Sequence, residues 1–325
     1  MKNSRFFDKM YCIKGMGGER VNTVNSINSV RYLSEAKKVL GHAKINLHLD
    51  IVGREENGYH LVDTVMQSLS LCDEVSVRLT ESGFVAYCDV EGVPTDEKNI
   101  AVRAAMLFMS ELERDMGAEI TIKKNIPMAA GMAGGSADGA ATLVALNELC
   151  GMPFSEAELC ALGARLGADV PFCVKGGTAF ADGRGDILHE FPKMPDCYIV
   201  AACGGEGVST PWAYGMLDEK YNGFGSESGY IPKGTAGLRG AMDKSIVLLS
   251  ELGKELYNIF EAPVLECRPV AKMIKQTIVE NGATAAMMSG SGPSVFGIFS
   301  DEGAAQATVE KLLSMGVFAA VCRPV

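Results

Sequence analysis

A run of small residues from Ile126 to Gly139, I-P-M-A-A-G-M-A-G-G-S-A-D-G, is the segment best suited to hold a polyanion. Glycine and alanine let a ligand approach the backbone closely. The residues that follow have the apolar spacing of a helix, and a helix beginning near Ser136 would add unpaired N–H groups and the positive end of its dipole. These features predict a phosphate-binding loop. The alternative is a tight turn that packs against a neighbouring element.

This loop differs from the commoner nucleotide-binding loops. The pattern G-x-x-x-x-G-K-[ST] is missing because no lysine follows Gly135, and G-x-G-x-x-G is missing as well. A nucleotide bound here would therefore be held by another architecture. The missing fingerprint also argues against a Rossmann-type oxidoreductase.

Two ionisable residues in other segments could act on a bound phosphate. Lys44 and Asn46 share one face of a predicted strand, where they either project into a cleft or form an ordinary solvated face. Asp169 precedes Val170-Pro171, where the chain has left a helix and is not expected to resume one. Its carboxylate could accept a proton from a substrate hydroxyl or could cap a turn. The residue spacing leaves both pairs of interpretations open.

Two further turns have a similar ambiguity. The string Asn57–His60 could place an aromatic ring and an imidazole beside a nucleobase, or could be a plain hairpin turn. The Gly/Ser-rich turn Met288–Ser294 could line a ligand cleft or could simply connect a helix to a strand.

The hydrophobic pattern predicts a mixture of strands and helices that would position these turns. The predicted strands lie near residues 44–51, 74–79, 119–123, 178–182, 197–202, 295–300 and 318–322. The predicted helices lie near residues 100–116, from 136 onward, from 155 to a cap at Gly167, and near 269–281 and 302–314. Residues 1–35 look irregular, residues 215–245 look like a long loop, and composition shifts near residues 191–195.

Composition narrows the functional classes to which this chain can belong. The net charge of −10 over 325 residues argues against a nucleic-acid-binding protein and means that any phosphate site must be locally basic or dipolar. Ten cysteines without a C-x-x-C pair indicate buried free thiols in a reducing compartment. No apolar run is long enough to span a membrane and no signal peptide is evident, so we expect a cytoplasmic protein.

Five segments, taken in order, resemble the GHMP kinases. They are A-K-I-N-L at 43–47, G-Y-H at 58–60, P-M-A-A-G-M-A-G-G-S at 127–136, L-G-A-D-V-P-F at 166–172 and M-S-G-S-G-P at 288–293. The resemblance covers about residues 41–325 and implies an α+β fold, with a ribosomal-S5-like N-terminal domain and a ferredoxin-like C-terminal domain. We therefore expect an N-terminal extension at 1–40, an ATP-binding and catalytic domain at 41–192 and a C-terminal domain at 193–325.

The resemblance also implies an activity. N-G-Y-H and L-G-A-D-V-P, in this order with A-K-I-N-L, indicate the member that uses ATP to phosphorylate the C2 hydroxyl of a small-molecule substrate, a cytidylyl-methylerythritol of the non-mevalonate isoprenoid pathway. Asp169 would be the general base and Lys44 its catalytic partner. Asn46 would bind the erythritol, Tyr59 and Tyr214 would stack on cytosine, and His60 would hydrogen-bond it. Trp212 is the less favoured alternative to Tyr214.

The nucleotide site implied by the resemblance is larger. Mg²⁺ would accompany ATP, with Ser136 as its nearest protein hydroxyl. Asn99 and Lys124 would lie toward adenosine. The residues expected to wrap the phosphates of ATP are Pro127, Met128, Ala129, Ala130, Gly131, Met132, Ala133, Gly134, Gly135, Ser136 and Ala137.

Two departures and two alternatives accompany this assignment. Ala137 stands where many GHMP kinases have a second serine, and Gly139 stands where alanine is usual.

A homoserine or mevalonate kinase would not need the residues around cytosine, whereas a non-catalytic nucleotide-binding relative would not need both Lys44 and Asp169. We expect a monomer or a weak homodimer, with no nucleic-acid or membrane partner.

Overall fold

The computed structural model describes residues 31–224 and 228–325. Its strands are β1 (Lys37–Arg54), β2 (His60–Thr80), β3 (Phe84–Cys88), β4 (Gly117–Lys123), β5 (Thr178–Asp182), β6 (Ile187–Glu190), β7 (Tyr198–Cys203), β8 (Tyr257–Asn258), β9 (Ala285–Met288), β10 (Val295–Phe299) and β11 (Phe318–Cys322). Its helices are α1 (Ile100–Glu111), α2 (Gly134–Leu149), α3 (Glu156–Ala164), α4 (Val170–Lys175), α5 (Thr210–Lys220), α6 (Ala236–Met242), α7 (Leu249–Glu255), α8 (Glu261–Cys267), α9 (Pro269–Glu280) and α10 (Glu302–Ser314). A 3-10 turn covers Asn222–Phe224.

The long strands β1 and β2 form the centre of a seven-stranded sheet. The strand order is β3-β4-β2-β1-β8, and the β5–β6 hairpin joins through the pairing of β5 with β2. Helices α1 and α2 cover the β2–β4 region, where residues such as Phe108, Ile120 and Leu143 are completely buried. This helix layer fixes the direction in which α2, and the glycine-rich loop before it, leave the sheet.

The second sheet has four antiparallel strands in the order β11-β7-β10-β9. With α9 before β9 and α10 before β11, this is the β-α-β-β-α-β order of a ferredoxin-like fold. Strand β9 was absent from the predicted elements, since its four residues are too few for a period to be recognised. The predicted ferredoxin-like layer is confirmed.

One core joins the two sheets. Ile45 and Leu47 of β1 pack in the same cluster as Ile199 of β7 and Phe296 of β10. Residues Tyr32–Val325 belong to one compact unit. The division at 1–40, 41–192 and 193–325 stays a prediction, and the irregular structure expected for residues 1–30 lies outside the described residues.

Strand β1 differs from the predicted half-buried strand. Its central residues are buried on both faces, and a β-bulge between Asn46 and His48 shifts the alternation. As a result Leu49, rather than His48, lies on the same face as Lys44 and Asn46. The regular alternation read from the sequence therefore ends at the bulge.

Several predicted boundaries were wrong. Helix α1 ends at Glu111 rather than near Met116, and residues 210–255 contain three helices where a long loop was expected across 215–245. Helix α4 begins directly after Asp169, with Pro171 in its first turn. The N–H groups of a first helical turn have no partner within the helix, so a proline there costs no hydrogen bond. Pro171 is therefore compatible with the start of α4.

The remaining predictions about bulk properties have mixed outcomes. The nine cysteines within the described ranges are free thiols, but only Cys197 and Cys322 are buried, and Cys267 is exposed. Burial raises the pKa of the Cys197 thiol to about 12. In the part of the chain that the structure describes, every helix is too short or too polar to cross a membrane.

Candidate active site

The glycine-rich loop forms one wall of a cavity of about 590 Å³. Strand β1 supplies Lys44 and Asn46 to the same cavity, and the residues before α4 supply Ala168 and Asp169. A volume of this size is within the range that holds a small-molecule ligand. Most of the predicted nucleotide residues line the cavity, whereas the side chains of Met132 and Ala137 are buried behind the loop.

The amino end of α2 faces this cavity without a side-chain cap. Its N-cap is Ala133, in the left-handed backbone conformation at φ 59°, and no side chain there bonds to the first turn. Gly134, Gly135 and Ser136 line the cavity directly after it. Unpaired N–H groups and the helix dipole make this end of α2 suited to an anion, and the helix begins at Gly134, two residues before the predicted start near Ser136.

The structure brings Lys44 and Asp169 together. The Lys44 Nζ lies 3.4 Å from Asp169 Oδ1, and the Lys44 side chain is 6% exposed, whereas that of Asp169 is 38% exposed. The interpretation of Lys44 as a solvated-face lysine is therefore wrong. Asp169 stands at the N-cap position of α4 but makes no side-chain cap bond. Its carboxylate is left facing both the ammonium group and the cavity.

A hydrogen-bond chain fixes the orientation of Lys44. Its Nζ donates to Asn46 Oδ1 at 3.0 Å, and Asn46 Nδ2 donates to the Thr64 hydroxyl at 2.8 Å. Thr64 in turn donates to the carbonyl oxygen of His48 at 2.8 Å, next to the bulge. Because its Oδ1 already accepts from Lys44, Asn46 also serves to hold the lysine in place.

The turn Met288–Ser294 packs against the glycine-rich loop. The Ser289 hydroxyl lies 3.3 Å from the Gly131 carbonyl oxygen and 3.4 Å from Asn46 Oδ1. Gly290 and Ser291 line the cavity. The interpretation that this turn lines a cleft is therefore favoured over that of a simple connection.

We expect Gly131→Ala to disrupt this contact. Gly131 has φ 75°, and a Cβ there would lie 2.8 Å from the Ser289 carbonyl oxygen. A left-handed alanine and the clash together predict a loss of about 1–3 kcal/mol in the free energy of unfolding, measured by urea denaturation. Gly215→Ala is the control, because the added Cβ would meet no atom within 4 Å beyond its own stretch of helix α5. Equal stability of the two variants would contradict the prediction.

Asn99 and Lys124, which were predicted to lie toward adenosine, line the cavity, but their polar groups are largely occupied. Asn99 caps α1 by accepting from Ala101 N at 2.9 Å, and its amide donates to Pro94 O at 2.7 Å. Lys124 Nζ contacts Asp73 and lies 2.7 Å from Asp138 Oδ2. Burial and the nearby Asp73 raise the pKa of Asp138, although Lys124 opposes this rise.

The string Asn57–His60 forms a hairpin turn between β1 and β2, as the simpler interpretation held. Tyr59 is 59% exposed and lies outside the cavity wall, where the guanidinium of Arg184 stands 4.3 Å from the centre of its ring. The His60 Nε2 contacts Asp218 Oδ1 at 2.7 Å. Neither Tyr59 nor His60 lines the cavity, so the structure does not bring these two residues together with Lys44 and Asp169.

Of the two aromatic residues weighed in α5, Tyr214 lines the cavity and Trp212 does not. The Tyr214 ring lies 4.6 Å from the His60 ring and 4.9 Å from that of Phe260, as measured between ring centres. Burial, with a contribution from the Asp169 charge, raises the pKa of Tyr214 to about 12. Trp212 instead packs under Arg268, at 4.7 Å.

The two departures at 137 and 139 have local explanations. Ala137 is completely buried and packs against Gly41 of β1, where an added Cβ would lie 2.8 Å from the Ala137 carbonyl oxygen. At Gly139, an added Cβ would lie 2.6 Å from Cγ2 of Ile100. Glycine at 139 therefore accommodates the branched side chain of α1.

Sequence reasoning missed several residues of the cavity wall. A polar Asp138 within a run of small residues was a signal that could have been noticed, whereas Arg184 sits in an ordinary Gly-rich turn that carries no such signal. Other residues missed include Leu49, Val62, Thr64, Lys98, Thr210 and Phe260.

Comparisons with known proteins agree with this architecture. The family model for the N-terminal domain of GHMP kinases matches residues 99–177, and the model for their C-terminal domain matches residues 244–317. The chain is 41% identical over 268 residues to a 4-diphosphocytidyl-2-C-methyl-D-erythritol kinase of Acetivibrio thermocellus, covering 82% of this chain and 92% of that protein. For the kinase of the same name from Clostridium novyi, the identity is 39%, with 80% and 90% covered.

Solved structures show the same fold. A crystal structure of 4-(cytidine 5'-diphospho)-2C-methyl-D-erythritol kinase matches with a TM-score of 0.72 at 29% identity, covering 89% of this chain and all of that one. A homoserine kinase from Cytophaga hutchinsonii matches with a TM-score of 0.67 at 20% identity, covering 91% and 96%, which supports the fold alone. The predicted GHMP kinase fold is confirmed, and the chain belongs to the 4-diphosphocytidyl-2-C-methyl-D-erythritol kinase family of the GHMP kinases.

Proposed function

We propose that this protein uses ATP to phosphorylate the C2 hydroxyl of 4-diphosphocytidyl-2-C-methyl-D-erythritol, in the non-mevalonate route to isoprenoid precursors. The observation that carries the proposal is the Lys44–Asp169 pair, 3.4 Å apart in a cavity whose other wall is the uncapped amino end of α2. This arrangement combines a base, a cation and an anion-binding backbone in one cavity.

In the proposed reaction, a carboxylate oxygen of Asp169 accepts the proton of the C2 hydroxyl. At the same time, the oxygen of that hydroxyl forms a bond to the γ-phosphorus of ATP. The bond from that phosphorus to the β,γ-bridging oxygen breaks, and ADP leaves. Lys44 offsets negative charge near the transferred group and is held for that role by Asn46. Positioning and electrostatic stabilisation carry most of the rate enhancement in phosphoryl transfer.

The residues of the cavity fit a magnesium ion that arrives on ATP. Mg²⁺ binds hard oxygen ligands and often keeps several waters and phosphate oxygens. Ser136 offers a hydroxyl beside the amino end of α2, and no cluster of three or more His, Cys, Asp or Glu residues suited to a metal occurs within 31–224 and 228–325. The ion would neutralise phosphate charge, while Ser136 contributes at most one ligand.

The cytidylyl group would occupy the end of the cavity near Tyr214. We propose that Tyr59 turns toward this end when the base binds, so that the two rings enclose cytosine, and that His60 contacts the base edge. Aromatic rings stack favourably on nucleobases. The further expectations of a cytoplasmic monomer or weak homodimer, acting on small molecules alone, belong to the same proposal.

The decisive experiment measures ADP release with a panel of alcohols: the cytidylyl-methylerythritol, homoserine and mevalonate. We expect turnover with the first alone. Turnover with homoserine or mevalonate instead would replace the proposed substrate, and ATP binding without turnover on any alcohol would indicate a non-catalytic relative.

We expect Tyr214→Ala to separate the two substrates. Loss of a stacking partner should raise KM for the cytidylyl substrate about 10-fold, on the order of the 1–3 kcal/mol that a base–aromatic contact contributes. KM for ATP should stay within about twofold, since the phosphate loop is untouched. Trp212→Ala is the control, because Trp212 lies outside the cavity wall. Equal changes in both KM values would remove Tyr214 from the base site.

A further inference from the structure

A single arginine connects the exposed Tyr59 to the cavity. Arg184 lies in the turn between β5 and β6 and lines the cavity together with Asp169 and Tyr214. Its guanidinium covers the Tyr59 ring at 4.3 Å. Arg184 therefore stands between the predicted base-stacking ring and the predicted reaction centre.

Glu55 holds this guanidinium in a fixed direction. Arg184 Nε donates to Glu55 Oε1 at 3.2 Å, and Arg184 Nη2 donates to Glu55 Oε2 at 2.6 Å. A guanidinium has five N–H groups, and this bidentate contact uses one on each of two nitrogens. Within the described ranges Nη1 makes no hydrogen bond, so its two N–H groups remain available to a ligand.

Two of the three other cations of the described cavity wall are paired with carboxylates. Lys44 pairs with Asp169, and Lys124 is shared by Asp73 and Asp138. Lys98, the third, precedes Asn99 and Ile100 in the part of the wall where Ile100 approaches the glycine-rich loop at Gly135, rather than beside Tyr59. Arg184 is therefore the described cation of this wall that lies beside Tyr59 and has donors left for an anion.

The charge of the whole chain makes a local cation favourable for binding a polyanion. With a net charge of −10, the protein repels polyanions at long range, and a ligand with two phosphates needs local positive charge. Arginine suits a diphosphate because its planar fork matches phosphate oxygens in pairs. Pairing with Glu55 also reduces the side-chain entropy that Arg184 would lose when a ligand binds.

We propose that Arg184 binds the diphosphate of the nucleoside-diphosphate-linked substrate through Nη1, at the end of the cavity toward which Tyr59 would turn. This inference rests on the proposed function, because it takes the substrate to carry a diphosphate between the base and the alcohol. Arg184 would then be a determinant of substrate specificity that recognises charge, next to aromatic residues that recognise the base.

The test compares the binding of cytidine and CDP by calorimetry to the wild-type protein and to Arg184→Gln. We expect the variant to bind CDP about 10-fold more weakly, because a charge-assisted hydrogen bond is lost, and to bind cytidine within about twofold of the wild type. Arg165→Gln is a matched control: Arg165 Nη1 makes a 2.6 Å ion pair with Glu111 that is similarly exposed but lies outside the cavity wall. That control should leave both affinities unchanged.

Equal losses for cytidine and CDP would overturn the proposal, since Arg184 would then act only by positioning Tyr59. Unchanged CDP affinity, or a wild type that binds neither probe, would overturn it as well. If Arg184→Gln fails to fold, Arg184→Lys provides the same comparison: a loss confined to CDP supports the contact and equal losses refute it. The proposed function is judged separately, by turnover of the alcohol panel, so the two can fail independently.

Discussion

Asp169→Asn should reduce kcat by about 10²–10⁴-fold while leaving the fold and ATP binding intact. Asparagine keeps the shape of the side chain but has no carboxylate to accept the substrate proton. The fold should tolerate the change because Asp169 makes no cap bond to α4 and its side chain is 38% exposed. Single-turnover ADP formation with saturating substrates measures the chemical step directly.

The control for this prediction is Asp182→Asn. The Asp182 side chain is 40% exposed and contacts His189 at 3.0 Å, much as Asp169 contacts Lys44, but it lies outside the cavity wall. Its removal should leave kcat within about twofold. If Asp169→Asn also turned over at a near-normal rate, another group would have to accept the proton, and the proposed chemistry would be wrong.

Lys44→Met should have the second largest effect, a fall in kcat of about 10²-fold or more. Removing one donor that stabilises developing charge typically slows an enzyme by about 10²–10³-fold. Methionine fills much of the space of the buried lysine stem, and Asp169 can still be solvated from the cavity, so an uncompensated buried charge is avoided. Asn46 loses the donor 3.0 Å from its Oδ1 but keeps its bond to Thr64.

Two measurements separate chemistry from folding in this variant. The urea midpoint should shift little, and the affinity for an unreactive ATP analogue should stay within about fivefold. Lys175→Met, which changes a lysine at the end of α4 outside the cavity wall, is the control for loss of charge alone. A variant that unfolds readily, yet turns over normally at low temperature, would assign Lys44 a structural role.

Local chemistry predicted those parts of the site that one segment can encode. The small residues between Pro127 and Ser136 indicated a loop whose backbone a ligand can approach, because glycine and alanine have little side-chain volume, and most of these residues line the cavity. The capping box at Ser155 and Glu158 predicted the start of α3, and both of its hydrogen bonds are present. These features depend on neighbours a few residues away, and that is why they can be read from the chain.

Features that depend on distant contacts could not be read in this way. No spacing rule places Lys44 within 3.4 Å of Asp169, because that distance follows from the packing of α4 against β1. The bulge in β1 places Leu49 rather than His48 on the face that lines the cavity. It depends on the pairing of β1 with β2 rather than on the conformational preferences of neighbouring residues. Arg184 was missed for the same reason, since only the approach of two turns gives it a role.

The contact between Ile100 and Gly139 has a consequence for how such a site can change. The Ile100 side chain occupies the space that a side chain at position 139 would need, because an alanine methyl there would lie 2.6 Å from Ile100 Cγ2. The two positions are therefore expected to vary as a pair, with a larger residue in α2 accompanied by a slimmer one in α1. A hybrid protein that takes only α2 from a relative with alanine at 139, and keeps Ile100 in α1, would therefore acquire a steric conflict beside its glycine-rich loop.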